Sequence, residues 1–145
     1  MKRRGSYFEY EQERNMDLLK AYHTALSECD VIRLDDIWFQ IANMPASRFW
    51  VSEERAAIVI SKIMRGEELS EMRPCKREMF MEIYRRVMQL KKERPNLTIY
   101  RLCFNVINKP APCFYMTPLS IRETIYKIKR NFYDKRKQHL RFMTM

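Results

Sequence analysis

The residues of this chain that could do chemistry are mostly cations and aromatic rings. Lys135, Arg136 and Lys137 stand in tandem just after Phe132 and Tyr133. That pairing suits phosphate contact with counterion release, plus stacking on bases. Such a segment supplies affinity and little choice of sequence. Upstream, Ser120, Arg122, Tyr126, Lys127, Lys129 and Arg130 fall in one stretch with helical periodicity. Their exposed members would reach base edges and backbone if that stretch entered a major groove. Arg48 and Lys109 flank two proline-bearing segments, each with a large amphipathic ring nearby, Trp50 and Tyr115. The cations suit phosphates, and the rings would stack on bases or insert at a groove edge. Each group has a plainer reading: solvated charges, a solvated tail and rings that pack a loop onto a core.

Other chemistries find no constellation. His23 and His139 are the two histidines, far apart, with no H-E-x-x-H and no triad partner. Catalysis is therefore not expected. Cys29, Cys75, Cys103 and Cys113 form no C-x-x-C pair and lack closely spaced histidines, so no metal site is expected either. Gly5 and Gly66 are the only glycines, which excludes Gly-rich phosphate loops, and no cofactor is expected. Free thiols, no secretory pattern and no apolar run of membrane-span length together predict an intracellular, cytoplasmic protein with no membrane partner.

Charge points to a polyanion. The chain of 145 residues carries a formal net charge of +10, unevenly placed. Residues 1–72 hold 10 Lys/Arg against 13 Asp/Glu, whereas residues 73–145 hold 18 against 5. A basic second half beside a slightly acidic first half predicts nucleic acid as partner, met through the second half.

The elements that position these residues come from a phrase that occurs twice. The stretch Ile41–Gly66 aligns with Val106–Asn131 at a constant offset of 65 positions, without a gap. Asn43, Pro45, Ala46, Phe49, Ile60, Lys62, Ile63 and Arg65 recur as Asn108, Pro110, Ala111, Phe114, Ile125, Lys127, Ile128 and Arg130. Trp50 faces Tyr115. Ser52 faces Thr117, both good N-caps, and Gly66 faces Asn131, both suited to closing a helix. This is the signature of a duplicated supersecondary unit.

Apolar spacing predicts helices from about Glu11 to Cys29, from Leu34 to about Asn43, and from Ser52 to Gly66. The second copy repeats them from about Cys75 to Lys92, from Leu97 to Asn108, and from the Thr117-Pro118 start. The expected fold is all-α: a tandem duplication of a three-helix, helix-turn-helix-like unit. Its parts are an N-terminal arm (1–15), a first repeat (16–66), a connector (67–80), a second repeat (81–131) and a basic tail (132–145). The tail is either a frayed continuation of the last helix or a mobile arm. Phe49 and Phe114 are expected to plug their loops onto the core, and Cys29 and Cys103 to lie in it.

The motif N-x-P-A-x-x-F-[WY]-[VM]-[ST] before a capped helix resembles one in small uncharacterised basic proteins of Bacteroides-type bacteria and their phages. The resemblance spans roughly Met16 to Asn131 and implies a phage or mobile-element setting, without an activity. The functional expectation is a non-catalytic, regulatory DNA-binding protein that prefers duplex. RNA is a further possible partner, through stacking on single strands. The alternative, from a different class, is a helical adaptor or phage structural protein that binds a protein partner.

Overall fold

The computed structural model describes residues 10–28 and 33–143. They form helices α1 (Glu11–Glu28), α2 (Leu34–Ala42), α3 (Glu53–Met64), α4 (Pro74–Glu93), α5 (Ile99–Ile107) and α6 (Pro118–Met143), and no strand. The all-helical expectation holds. Residues 1–9 of the expected arm and Cys29 lie outside the described residues.

Local chemistry explains where the helices begin and end. The Ser52 and Thr117 hydroxyls accept the backbone N–H of Arg55 (3.1 Å) and Ser120 (3.2 Å), satisfying donors that the first turn leaves open. Thr98 does the same for Arg101 at 3.3 Å. At the other ends, the Asn43 and Asn108 amides donate back to the carbonyls of Phe39 (3.0 Å) and Phe104 (2.8 Å), just ahead of Pro45 and Pro110. Gly66 takes φ +82 beyond α3, a left-handed stop that a side chain resists. Asn131, its counterpart, is no terminator: α6 runs through it to Met143. The basic tail is thus helical over all its described residues. An asparagine tolerates a left-handed stop without imposing one.

The packing does not follow a helix-turn-helix plan. α1 packs on α2, and α4 on α5, but α3 crosses to α4 and α5 while α6 crosses to α1 and α2. Neither α2 with α3 nor α5 with α6 forms a packed pair. The cause lies in the loops. Asn43–Ser52 and Asn108–Thr117 are extended, proline-bearing segments, much longer than the 3–4-residue turn that folds two helices onto each other.

The two loops meet in one antiparallel bridge. Ala46 donates its N–H to the Ala111 carbonyl (3.1 Å), and Ala111 returns the bond to Ala46 (3.0 Å). Both alanines are buried in the core beneath the bridge. Phe49 adds a further cross-link through its N–H to the Ile107 carbonyl (3.0 Å).

One core serves all six helices. Leu18, Ile37, Ile41, Phe49, Ile60 and Ile83 are fully buried with Leu102, Ile107, Ile121 and Ile125 in a single cluster. At its α1–α2–α6 corner, Trp38 stacks on Tyr22 at 5.7 Å, and Tyr126 meets Trp38 edge-on at 5.7 Å. Cys103 is buried as expected.

Candidate nucleic-acid interface

The basic residues of the second half converge on α6. Its first part is pinned to the core by Ile121 and Ile125, with Ile128 partly buried beyond them. From Asn131 to Arg141 every residue is exposed. A helix of 26 residues is about 39 Å long, so its distal part extends beyond the core-packed stripe. An isolated segment of that size would be marginal as a helix in water. Here it extends an anchored helix and carries no nucleation cost.

Between Arg122 and Arg141 the helix bears Arg122, Lys127, Lys129, Arg130, Lys135, Arg136, Lys137 and Arg141 against Glu123 and Asp134. At 3.6 residues per turn, Arg122, Tyr126, Lys129, Tyr133, Arg136 and Lys137 fall along one side, between the core-facing stripe and the back of the helix. The root of this stripe is tied down by side-chain contacts. The Arg122 guanidinium lies over the Tyr126 ring at 5.6 Å, and the Lys129 ammonium donates to the Tyr22 hydroxyl at 2.7 Å while sitting over that ring. Lys127, Arg130, Lys135, Arg136 and Lys137 are exposed and form no ion pair among the described residues. Ser120 is half-buried in the capping turn: its N–H bonds to Thr117, and its carbonyl accepts from Thr124 at 2.7 Å.

The loop residues are used differently. The Arg48 guanidinium donates to the carbonyls of Phe49 (3.1 Å) and Val51 (3.0 Å), and it lies over the rings of Tyr10 and Trp50. It is a staple of its own loop, since every donor spent on a carbonyl is lost to a phosphate. Trp50 is half-buried, and its indole N–H donates to Asp17 at 3.1 Å. Tyr115 is half-buried with φ +54, stacked on Phe49 at 6.0 Å. Burial pushes its phenol up to about 12. Neither ring stands free as a stacking platform. Lys109 is exposed at the mouth of its loop, apart from the α6 stripe.

Sequence reasoning missed Asp17, whose one carboxylate oxygen accepts from the Ser47 backbone N–H (2.9 Å), the Ser47 hydroxyl (2.9 Å) and Trp50. It also missed Phe39 and Phe104, which are 63% and 45% exposed and recur at the same 65-residue offset. That identity was the available signal. Among the described residues, no group of three or more His, Cys, Asp or Glu could hold a metal ion, and no helix is long and apolar enough to cross a membrane. Comparison of the chain with protein-family models, curated proteins and solved structures gives no match.

Proposed function

We propose that this chain is a non-catalytic nucleic-acid-binding protein that takes duplex DNA through α6. The observation that carries the reading is the exposed basic helix from Arg122 to Arg141, with tyrosines on the same side and its root fixed on Tyr22 and Trp38. A helix fits the major groove, and arginine and lysine there pair best with guanine edges. In this reading Arg122 and Tyr126 select sequence, while Lys135, Arg136 and Lys137 supply phosphate affinity. The loop residues Arg48, Trp50 and Tyr115 shape the scaffold and do not read bases. A regulatory role in a bacterial or phage-infected cytoplasm is the setting that fits the motif resemblance.

We further propose that the chain is a fused duplicate of one three-helix unit. The support is positional: α2 and α5 begin and end 65 residues apart, α3 and α6 begin 65 residues apart, and Ala46 bonds its own counterpart Ala111. Only one of the two third helices is suited to DNA. α3 opens with Glu53 and Glu54 and stops at Gly66, whereas α6 has no acid in its first turn and continues. The target is therefore one non-palindromic site per chain.

Fluorescence anisotropy with duplex DNA, single-stranded DNA and duplex RNA across a salt series tests this. Duplex binding should fall steeply with salt, and replacing Lys135, Arg136 and Lys137 by alanine should lower the log–log slope by about 2 to 3. No binding at moderate salt, or a slope untouched by the triple variant, refutes it. The protein-adaptor reading keeps one specific support, the exposed Phe39 and Phe104, and predicts partner binding that resists salt.

A further inference from the structure

The outer faces of α1 and α4 carry matching shallow basins. One, of about 820 Å³, is lined by Met16, Leu19, Lys20 and His23 with Ser47 from the adjoining loop. The other, of about 1220 Å³, is lined by Met81, Tyr84, Arg85 and Met88 with Tyr115. A shift of 65 positions carries the helix residues Met16, Leu19, Lys20 and His23 onto Met81, Tyr84, Arg85 and Met88, with the methionine and the cation kept; the loop residues Ser47 and Tyr115 are not counterparts. Glu13, exposed one turn before Met16, also recurs as Glu78, which lines the α4 basin one turn before Met81. These are surface positions: Met16 is 59% exposed and Met81 47%. A shared core explains why inward-facing residues repeat, but it does not explain why outward-facing ones do.

The repeated pattern is acid, methionine, cation at i, i+3 and i+7: Glu13, Met16, Lys20 on α1 and Glu78, Met81, Arg85 on α4. These positions share one helix face. A strip of this kind is complementary to itself when turned end for end. Laid antiparallel on a second copy, the acid of each strip meets the cation of the other, and the methionines meet between them. That is the geometry of a two-fold, isologous contact. The remaining carboxylates do not spoil it: Asp17 is engaged by Ser47 and Trp50, and Glu82 by Arg85 and Arg86.

We infer that each basin is a docking face for a second copy of this chain, α1 against α1 and α4 against α4. Two such faces on one chain allow growth beyond a dimer by alternating contacts. The α1 face is the stronger of the two, because among the described residues Lys20 has no ion-pair partner, whereas Arg85 is shared with Glu82. Each contact is a single helix pair, which places it among small, reversible interfaces.

Sedimentation velocity on the full chain over a dilution series, free of nucleic acid, tests this independently of the DNA reading. The wild type should grow from monomer through dimer to longer species as concentration rises. Met16→Glu or Met81→Glu alone should stop growth at the dimer, and both together should leave a monomer with an unchanged circular dichroism spectrum. In the Met81→Glu background, Glu13→Lys and Lys20→Glu should each abolish the dimer, and the two together should restore it by reversing the strip. A wild type that stays monomeric at every concentration overturns the inference. Association that persists in the double methionine variant overturns it equally, by placing the contact elsewhere.

Discussion

Replacing Asp17 by alanine should cost about 2 to 3 kcal/mol of folding stability, and the figure follows from what its carboxylate holds. One oxygen accepts from two donors of Ser47 at 2.9 Å each and from the Trp50 indole at 3.1 Å. The Ser47 donors are exposed, so water replaces the lost acceptor and the two bonds together contribute about 1 kcal/mol. The Trp50 N–H is half-buried, and leaving it without an acceptor costs about 1 to 2 kcal/mol. For a chain of this length the sum lowers Tm by about 5 to 10 °C. Urea unfolding followed by far-ultraviolet circular dichroism measures it without relying on Trp50 as the reporter. Trp50→Phe, combined with Asp17→Ala in a double-mutant cycle, should reveal a coupling of about 1 kcal/mol. A cost below about 0.5 kcal/mol for Asp17→Ala, or strict additivity with Trp50→Phe, would show that the loop is held by its apolar plugs alone.

Three further outcomes are expected. Hydrogen bonding from Arg85 holds the Glu82 carboxyl below its ordinary range, with burial opposing and Arg86 assisting. Its stabilising effect is present above the unfolded carboxylate pKa and is lost as pH falls through the lower folded value, so Glu82→Gln should flatten the acid limb of a stability–pH curve. Burial pushes the Cys103 thiol up to about 11, so in a Cys29→Ser background a thiol reagent at mildly alkaline pH should spare Cys103 until denaturant is added, while the half-buried Cys75 and Cys113 react. Ending the chain after Tyr133 removes only residues exposed throughout their described part, and should change stability by less than about 0.5 kcal/mol while abolishing duplex binding in the anisotropy assay.

Much of the fold was legible because its signals are local. Ser52 and Thr117 cap where their types predict, and Gly66 stops α3. Phe49 and Phe114 are the buried plugs that their repetition suggested. What could not be read was the exchange of α3 and α6 between the two halves. Periodicity tells a helix which face to bury, and it is silent about which neighbour buries it. The same limit affected the site. Trp50 and Arg48 have the composition of a phosphate-and-base contact, yet Asp17 and two carbonyls claim them inside the chain. Asp17 lies 33 residues from Trp50, and no local pattern links the two. The opposite happened on α6, where cations that spacing alone could not assign to helix or arm fall on one continuous helix.

The crossed packing also sets a timetable. α1 and α2 find α6 only after all the residues between them have been made, and the Tyr22–Lys129 contact spans 107 residues. At about 5 to 20 residues per second, the first half emerges from the ribosome seconds before the helix that covers it. During that interval Ile37, Trp38 and Ile41, buried in the finished protein, face water or whatever holds them. Contacts this distant in sequence also slow refolding of the finished chain well below the rate usual for helical proteins of its size. Because α6 both closes the core and carries the exposed basic stripe, that stripe cannot stand on a settled scaffold until α6 itself has been made and has docked.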